Sequence, residues 1–237
     1  VYFVRAKLMN FSSHRAAALQ PSLIREVAES AMGRADVIGL WFGEGRWPTS
    51  EIAVSAARNA LAKGDHFYQP NSGKPALRAS LQNYMNRLYG LALDISAITV
   101  TGSGMQAMML AAQALTDPGD KIVVVDPAWP NLSESFKIAG GDIHIVSLQA
   151  VNGRWHLDMD RLLDSLTPDT KAVLVNSPNN PTGWVMDEAD QLQLLFHCRK
   201  HGIWIISDDV YSRLYQFADA APNMMSCGHP EDRIISV

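Results

Sequence analysis

Ser177-Pro178-Asn179-Asn180-Pro181-Thr182-Gly183 and Ser207-Asp208-Asp209-Val210-Tyr211 are the two stretches that decide how this chain reads. Each follows a short apolar run, residues 172–175 for the first and 203–206 for the second, and runs of that length bounded by turn residues read as buried strands. In an open parallel sheet the ligand lies in the loops outside the carboxyl ends of the strands. Two such ends here carry an amide (Asn180), a carboxylate (Asp208) and a phenol (Tyr211). Each has a plainer account. Every residue type in Asn-Asn-Pro-Thr-Gly favours turns, a lone Asp208 caps a helix or joins a salt bridge, and a lone Tyr211 packs with its hydroxyl at the surface. The whole heptad on a strand end weakens the plain-turn account.

Outward from these blocks the pattern is strand–helix alternation, the signature of an α/β fold with a mainly parallel sheet. Strands are expected at 98–101, 121–125, 142–147, 171–175, 203–207 and 233–237, and helices at 105–115, 129–139, 158–166 and 187–201. The first ninety residues are less regular. Pro21 opens a helix over 22–34 with Leu23, Val27 and Ala31 at helical spacing and Gly33 near its end. A short apolar run then enters the turn Gly43-Glu44-Gly45-Arg46, followed by an alanine-rich helix at 51–63. A further helix at 75–89 carries Leu77, Leu81, Tyr84, Met85 and Leu88 on one stripe. Residues 1–50 read as an N-terminal segment with part of a small domain, and 51–237 as a large domain. No internal repeat or low-complexity segment interrupts them.

Composition narrows the function classes. The chain has 237 residues, 47% of them apolar and 19% charged, enough for a sizeable core. A net charge of −4 with no basic stripe argues against a nucleic-acid partner. No apolar run approaches a membrane span, and Val1-Tyr2-Phe3-Val4-Arg5 does not begin a signal peptide. Cys198 and Cys227 make no disulfide framework, so a reduced, cytoplasmic location is expected.

A third motif, Thr101-Gly102-Ser103-Gly104-Met105-Gln106-Ala107, joins an expected strand to an expected helix. The first amides of that helix face an anion, and the helix dipole adds attraction. Gly102-x-Gly104-x-x-Ala107 also satisfies the dinucleotide fingerprint, with Asp126 at the next strand end where a ribose-binding acid sits. Nothing in the dinucleotide account calls for the two later blocks, and these decide against it.

Taken together the three motifs resemble the cofactor site of fold-type I pyridoxal-phosphate enzymes, specifically the class I/II aminotransferases, over roughly residues 20–237. The resemblance implies an aspartate-aminotransferase-like sheet domain, pyridoxal 5'-phosphate as cofactor, and transfer of an amino group between an amino acid and a 2-keto acid. It implies that Asp208 partners the pyridinium nitrogen, keeping the ring protonated as an electron sink. Asn180 and Tyr211 would donate to the phenolate oxygen, and Ser103, Gly104 and Met105 would hold the phosphate. Trp129, otherwise an ordinary core tryptophan, would stack on the ring. Tyr68 would reach the phosphate of a neighbouring subunit, which makes a homodimer the active unit, and Gly43 would approach the substrate carboxylate. Two positions depart from the family pattern: Asp209 stands where Glu is usual, and Arg46 follows Gly43-Glu44-Gly45, either as surface charge or as a contact to an acidic substrate.

The same resemblance places the Schiff-base lysine just after the 233–237 strand. None of Lys7, Lys63, Lys74, Lys121, Lys137, Lys171 and Lys200 has that setting. A longer parent enzyme is therefore expected, with the lysine, two arginines and most of the small domain beyond Val237, and with a gap left in the sheet of residues 1–237, which alone would be inactive. Related chemistry on this scaffold includes carbon–sulfur lyases. A non-enzymatic alternative is the pyridoxal-phosphate-sensing domain of a transcription regulator, but no basic recognition helix precedes residue 20.

Overall fold

The computed structural model describes residues 13–19, 23–45 and 47–237. Pro21, Ser22, Arg46, Lys7 and the first five residues, about which the sequence raised expectations, lie outside the described residues. In chain order the elements are α1 (His14–Ala17), α2 (Leu23–Ala31), α3 (Glu51–Ala62), α4 (Pro75–Tyr89), α5 (Gly104–Leu115), β1 (Lys121–Asp126), α6 (Asn131–Ala139) and β2 (Asp142–Ser147). They continue with β3 (Gln149–Val151), β4 (Arg154–His156), α7 (Met159–Ser165), β5 (Thr170–Asn176), α8 (Glu188–His201), β6 (Trp204–Asp208), α9 (Met224–Cys227) and β7 (Ile234–Ser236).

Five strands form one parallel sheet in the order β2-β1-β5-β6-β7. The central strands bury both faces, which explains why their sequences are unbroken β-branched and apolar runs rather than alternating ones. Successive side chains still part to opposite sides. Val123, Val125, Val173, Val175 and Ile205 enter a layer with Leu162 of α7, Leu194 of α8 and Met186. Ile122, Val124, Ala172, Leu174 and Ile206 meet Met108 and Ala112 of α5 and Leu132 and Phe136 of α6. Helices thus cover both faces. Phe136 is fully buried, and cutting such a ring back to alanine costs about 3–5 kcal/mol.

The helices begin and end where local chemistry dictates. Ser103, Asp158 and Asp187 cap α5, α7 and α8 through side-chain oxygens that accept amide hydrogens of the first turn. Gly140 and Gly202 end α6 and α8 in the left-handed conformation.

The expected strand at 98–101 is absent. Those residues follow a 3-10 turn at Ile95–Ala97, and Val100 donates its amide to the Ser72 carbonyl at 2.9 Å instead of entering the sheet. The sheet's edges among the described residues are β2 and β7, so no ladder partner lies beside the segment. The strand before the glycine loop that a dinucleotide site requires is therefore missing too. Other ends shift by a few residues: the first long helix stops at Ala31 before Gly33, α6 starts at Asn131 rather than 129, and β7 covers only Ile234–Ser236. The β3–β4 hairpin and α9 are additions. The hairpin turns on Asn152 and Gly153, both at positive φ, the Asn-Gly pair that suits a tight two-residue turn.

Candidate functional site

The carboxyl ends of β5 and β6 lie side by side, with Asn176 paired to Asp208 across the ladder. Asn176 is fully engaged: its Nδ2 donates to the Asp208 carbonyl at 3.2 Å and its Oδ1 accepts the Asn180 amide at 2.7 Å. The turn after β5 is braced internally. Asn179 Oδ1 accepts from both the amide (3.0 Å) and the hydroxyl (2.6 Å) of Thr182, and Ser177 Oγ accepts the Met186 amide at 2.9 Å. Asn180 is left with a free direction for its own side chain. Its Nδ2 reaches the Tyr211 hydroxyl at 3.4 Å, although 31 residues separate them.

Tyr211 also touches the N-terminal segment. Its hydroxyl donates to the Gly43 carbonyl at 3.5 Å, and a Cβ on Gly43 would come within 2.3 Å of that hydroxyl. Only hydrogen fits between this backbone and the phenol as they stand, so a larger residue at 43 would have to push the phenol aside. Asn180, Tyr211 and Gly43, drawn from three distant parts of the sequence, thus meet in one place.

Asp208 is buried, 8% exposed. As the residue after Ser207 and two beyond Ile206, it leaves β6 on the face where Met105 and Trp129 pack against the α5–α6 core layer. Its carboxylate accepts the Val210 amide at 3.2 Å, and among the described residues no lysine, arginine or histidine pairs with it. Burial raises its pKa to about 6; the Val210 amide opposes the rise and the neighbouring Asp209 adds to it. Burial also raises Asp209, against three hydrogen bonds from Ser236, Ser207 and Asn223. A half-satisfied buried carboxylate with no cation is costly by itself, and its chemistry fits a cationic N–H donor.

Ser103 caps α5, with its Oγ accepting the Gln106 amide at 3.1 Å. Gly102 donates its own amide to Gln106 Oε1 at 2.7 Å, and the Thr101 hydroxyl bonds the Ser103 carbonyl at 2.8 Å, so the loop is rigidly held. Ser103 and Gly104 are exposed and Met105 is half-buried. A Cβ on Gly104 would stand 3.5 Å from Val237, which brings the start of α5 next to the end of β7. Tyr68 is fully exposed and stands apart from these contacts. Asp126 ends β1, and its carbonyl takes the Leu148 amide at 2.6 Å. A cleft of about 140 Å³, lined by Cys198, Arg199, Asp232 and Arg233, sits away from these residues at the amino end of β6.

Sequence reasoning passed over Asn176, Ser207, Asn223 and Ser236, the residues that hold the site residues in place. Asn176 and Ser207 carried a signal, each a polar residue closing an apolar run at the edge of a quoted block.

The family model for aminotransferase class I and II matches residues 35–232. The aspartate aminotransferase of Pyrococcus horikoshii is 30% identical over 98% of this chain and 59% of its own length. The aspartate/prephenate aminotransferase of Thermus thermophilus is 34% identical over 92% of this chain and 57% of its own. Among solved structures, aspartate aminotransferase from Thermus thermophilus with maleate superposes with a TM-score of 0.87 at 32% identity, covering 95% of this chain and 59% of that one. The chain spans under two thirds of the length of these relatives. A match that runs through the glycine loop and both strand-end blocks, followed by the backbone as closely as by the sequence, makes this chain a member of the class I and II aminotransferases.

Proposed function

We propose that the whole protein is a pyridoxal 5'-phosphate-dependent aminotransferase that moves an amino group between an amino acid and a 2-keto acid. The observation that carries the reading is Asp208: a buried carboxylate with a single amide donor and, among the described residues, no cation, directly across the ladder from the Asn176 that seats Asn180. When bound, the cofactor supplies an electron sink for the charge developed at the substrate α-carbon.

Each residue has a task consistent with its surroundings. Asp208 holds a proton on the ring nitrogen, and a cationic partner pulls its own pKa back down. Asn180 Nδ2 and the Tyr211 hydroxyl, already 3.4 Å apart, are two donors for one anionic ring oxygen. Ser103, with the amides of Gly104 and Met105 at the start of a twelve-residue helix, offers donors and the positive end of a dipole to a phosphate. Trp129 would offer its indole to a ring face, and the Gly43 backbone would lie towards a substrate carboxylate.

We infer that the catalytic lysine lies outside residues 1–237. Lys74 pairs with Asp65, Lys121 with Thr167, Lys137 with Glu134 and Lys171 with Asp120, and Lys63 and Lys200 are exposed. The active unit is proposed to be a homodimer. No residue of α3 or α4 is buried, and Trp47, Ile52, Leu61, Phe67 and Tyr68 stand exposed on the same part of the chain, a surface that a second copy would cover. Tyr68 would then reach the other subunit's phosphate. Among the described residues no helix is long and apolar enough to cross a membrane. The cytoplasm is the proposed compartment, where Cys198, its thiol pushed up to about 12 by burial, and Cys227 stay unpaired.

The test is performed on the full-length protein. It should show a visible cofactor band that shifts on adding an amino acid, and borohydride should label one lysine outside residues 1–237. Asp208→Ala should lower turnover by orders of magnitude while the protein stays folded. Near-normal turnover in that variant, or stoichiometric labelling of one of the seven lysines here, would contradict the assignment.

A further inference from the structure

Asp209 has no part in the chemistry just described, yet its buried carboxylate accepts hydrogen bonds from three side chains. Its Oδ1 accepts the Ser207 hydroxyl at 2.8 Å, and its Oδ2 accepts Asn223 Nδ2 at 3.0 Å together with the Ser236 hydroxyl. Ser207 and Ser236 are ladder partners on β6 and β7. The backbone adds to the latch, with the Asp209 amide donating to the Val237 carbonyl at 2.8 Å and the Val237 amide to the Ser207 carbonyl at 2.9 Å. All three side-chain donors are neutral. An ionised carboxylate out of water needs such donors, and removing one leaves charge under-solvated.

The Asn223 bond differs in kind from the other two. Ser207 and Ser236 tie Asp209 to strands already paired, whereas Asn223 lies fourteen residues on, at the far end of the loop that begins after Asp209. That loop carries Tyr211. Inside it, Ser212 donates its amide to the Asp209 carbonyl (2.9 Å), Leu214 to the Tyr211 carbonyl (2.8 Å) and Ala221 to the Ser212 carbonyl (2.8 Å). Asn223 also caps α9 by accepting the Met225 amide at 2.9 Å.

We propose that Asp209 is a positioning residue whose carboxylate closes the base of the 210–222 loop and thereby holds the Tyr211 hydroxyl against Asn180 and Gly43. Its effect on pyridoxal 5'-phosphate rests on the cofactor reading given above; the clasp itself does not. Asp209 serves the site from the side of β6 opposite Asp208, so the two adjacent carboxylates have separate duties, one facing the ligand and one fixing the loop that completes its surroundings.

Asn223→Asp separates the clasp from the cap, because its carboxylate still accepts the Met225 amide but faces Asp209 with an acceptor in place of a donor. Hydrogen exchange at the Ser212, Leu214 and Ala221 amides should quicken by about tenfold or more while the Ile205 amide in the sheet is unchanged. Pyridoxal 5'-phosphate should bind about tenfold more weakly in Asn223→Asp, and the same substitution should add under about twofold when Tyr211 is already Phe, since the clasp works through the phenol. Unchanged loop exchange overturns the clasp. Equal losses in both backgrounds overturn its action through Tyr211. Should Asn223→Asp fail to fold, Asp209→Ala, which removes the acceptor and leaves the Asn223 cap on α9 in place, is expected to give the same exchange pattern. If the unaltered full-length protein binds no pyridoxal 5'-phosphate in dialysis, the cofactor reading fails while the exchange data still decide the clasp.

Discussion

Asn176 and Asp208 sit opposite each other at the ends of neighbouring parallel strands, and the Asn176 side chain joins the Asp208 carbonyl to the Asn180 amide. A single buried amide thus sets the spacing between the carboxylate and the amide donor of the site. The Asp208 carbonyl has a second donor in the Ser177 amide at 3.1 Å, so removing Asn176 orphans chiefly the Asn180 N–H. An unsatisfied buried group costs about 1–3 kcal/mol. Asn176→Ala is expected to lower the thermal midpoint by several degrees, roughly 2–4 °C per kcal/mol at this size, and to weaken cofactor binding with it. Calorimetry checks the first, and an unchanged midpoint would mean that water takes over both bonds.

The carboxylate of Asp208 makes stability depend on pH in a definite direction. Its pKa is raised from 3.8 to about 6 in the folded chain, so the folded state binds this proton more tightly than the unfolded one. The stabilisation is full below about pH 4 and is lost as pH rises through about 6. At roughly 1.4 kcal/mol per unit, ionised Asp208 costs up to about 3 kcal/mol at pH 8. Asp208→Asn should therefore be more stable than the unaltered protein at pH 8, without added pyridoxal 5'-phosphate, and show no advantage at pH 4. Urea unfolding at the two pH values reads this directly. A gain of the same size at both would place the penalty in something other than charge.

The sequence announced the groups proposed to meet ligand and concealed those that hold them. Strand-end position and turn chemistry were enough to find Asn180, Asp208 and Tyr211, because apolar runs flanked by Pro, Gly and Asn mark a buried strand and its exit. Residues 98–101 have the composition of a strand but no partner beside them, and pairing is a long-range property that a local pattern does not carry. The Val151-Asn152-Gly153-Arg154 hairpin was readable from its Asn-Gly turn and was overlooked because its strands are only three residues long. Asn223 and Ser236 gave no signal: each is an ordinary small polar residue until the fold closes them, with Ser207, around one carboxylate.

Gly43 offers a purely steric test. Its φ is not in the left-handed region, so alanine adds no backbone strain, but the new Cβ would lie 2.3 Å from the Tyr211 hydroxyl and 3.3 Å from its Cζ. The phenol must withdraw, and its contact with Asn180 goes with it. Because Gly43 is exposed, global stability should change by less than about 0.5 kcal/mol. In the full-length enzyme Gly43→Ala should raise KM for the amino acid and shift the cofactor band, and restoring room with Tyr211→Phe should relieve part of the KM effect. A variant with unaltered KM and spectrum would show that the segment moves aside freely.

Ser103 separates stability from ligand binding most sharply, because the same position starts a helix and is proposed to face a phosphate. Its Oγ accepts the Gln106 amide at 3.1 Å, a cap worth about 1 kcal/mol, and Ser103→Ala should lose that much. Aspartate caps a helix as well as serine and complements the dipole, so Ser103→Asp should match or exceed the unaltered protein in thermal midpoint. Yet it sets a carboxylate where a phosphate dianion must come. Two like charges about 4 Å apart repel by about 1 kcal/mol in water, and by more where the bound phosphate and the helix exclude it. Ser103→Asp should therefore be a well-folded protein that no longer retains pyridoxal 5'-phosphate, while Ser103→Ala, less stable, retains it with modest loss. Equilibrium dialysis against the cofactor, set beside the two melting curves, gives the comparison. Normal retention by Ser103→Asp would move the phosphate away from the start of α5 and leave Ser103 a helix cap alone.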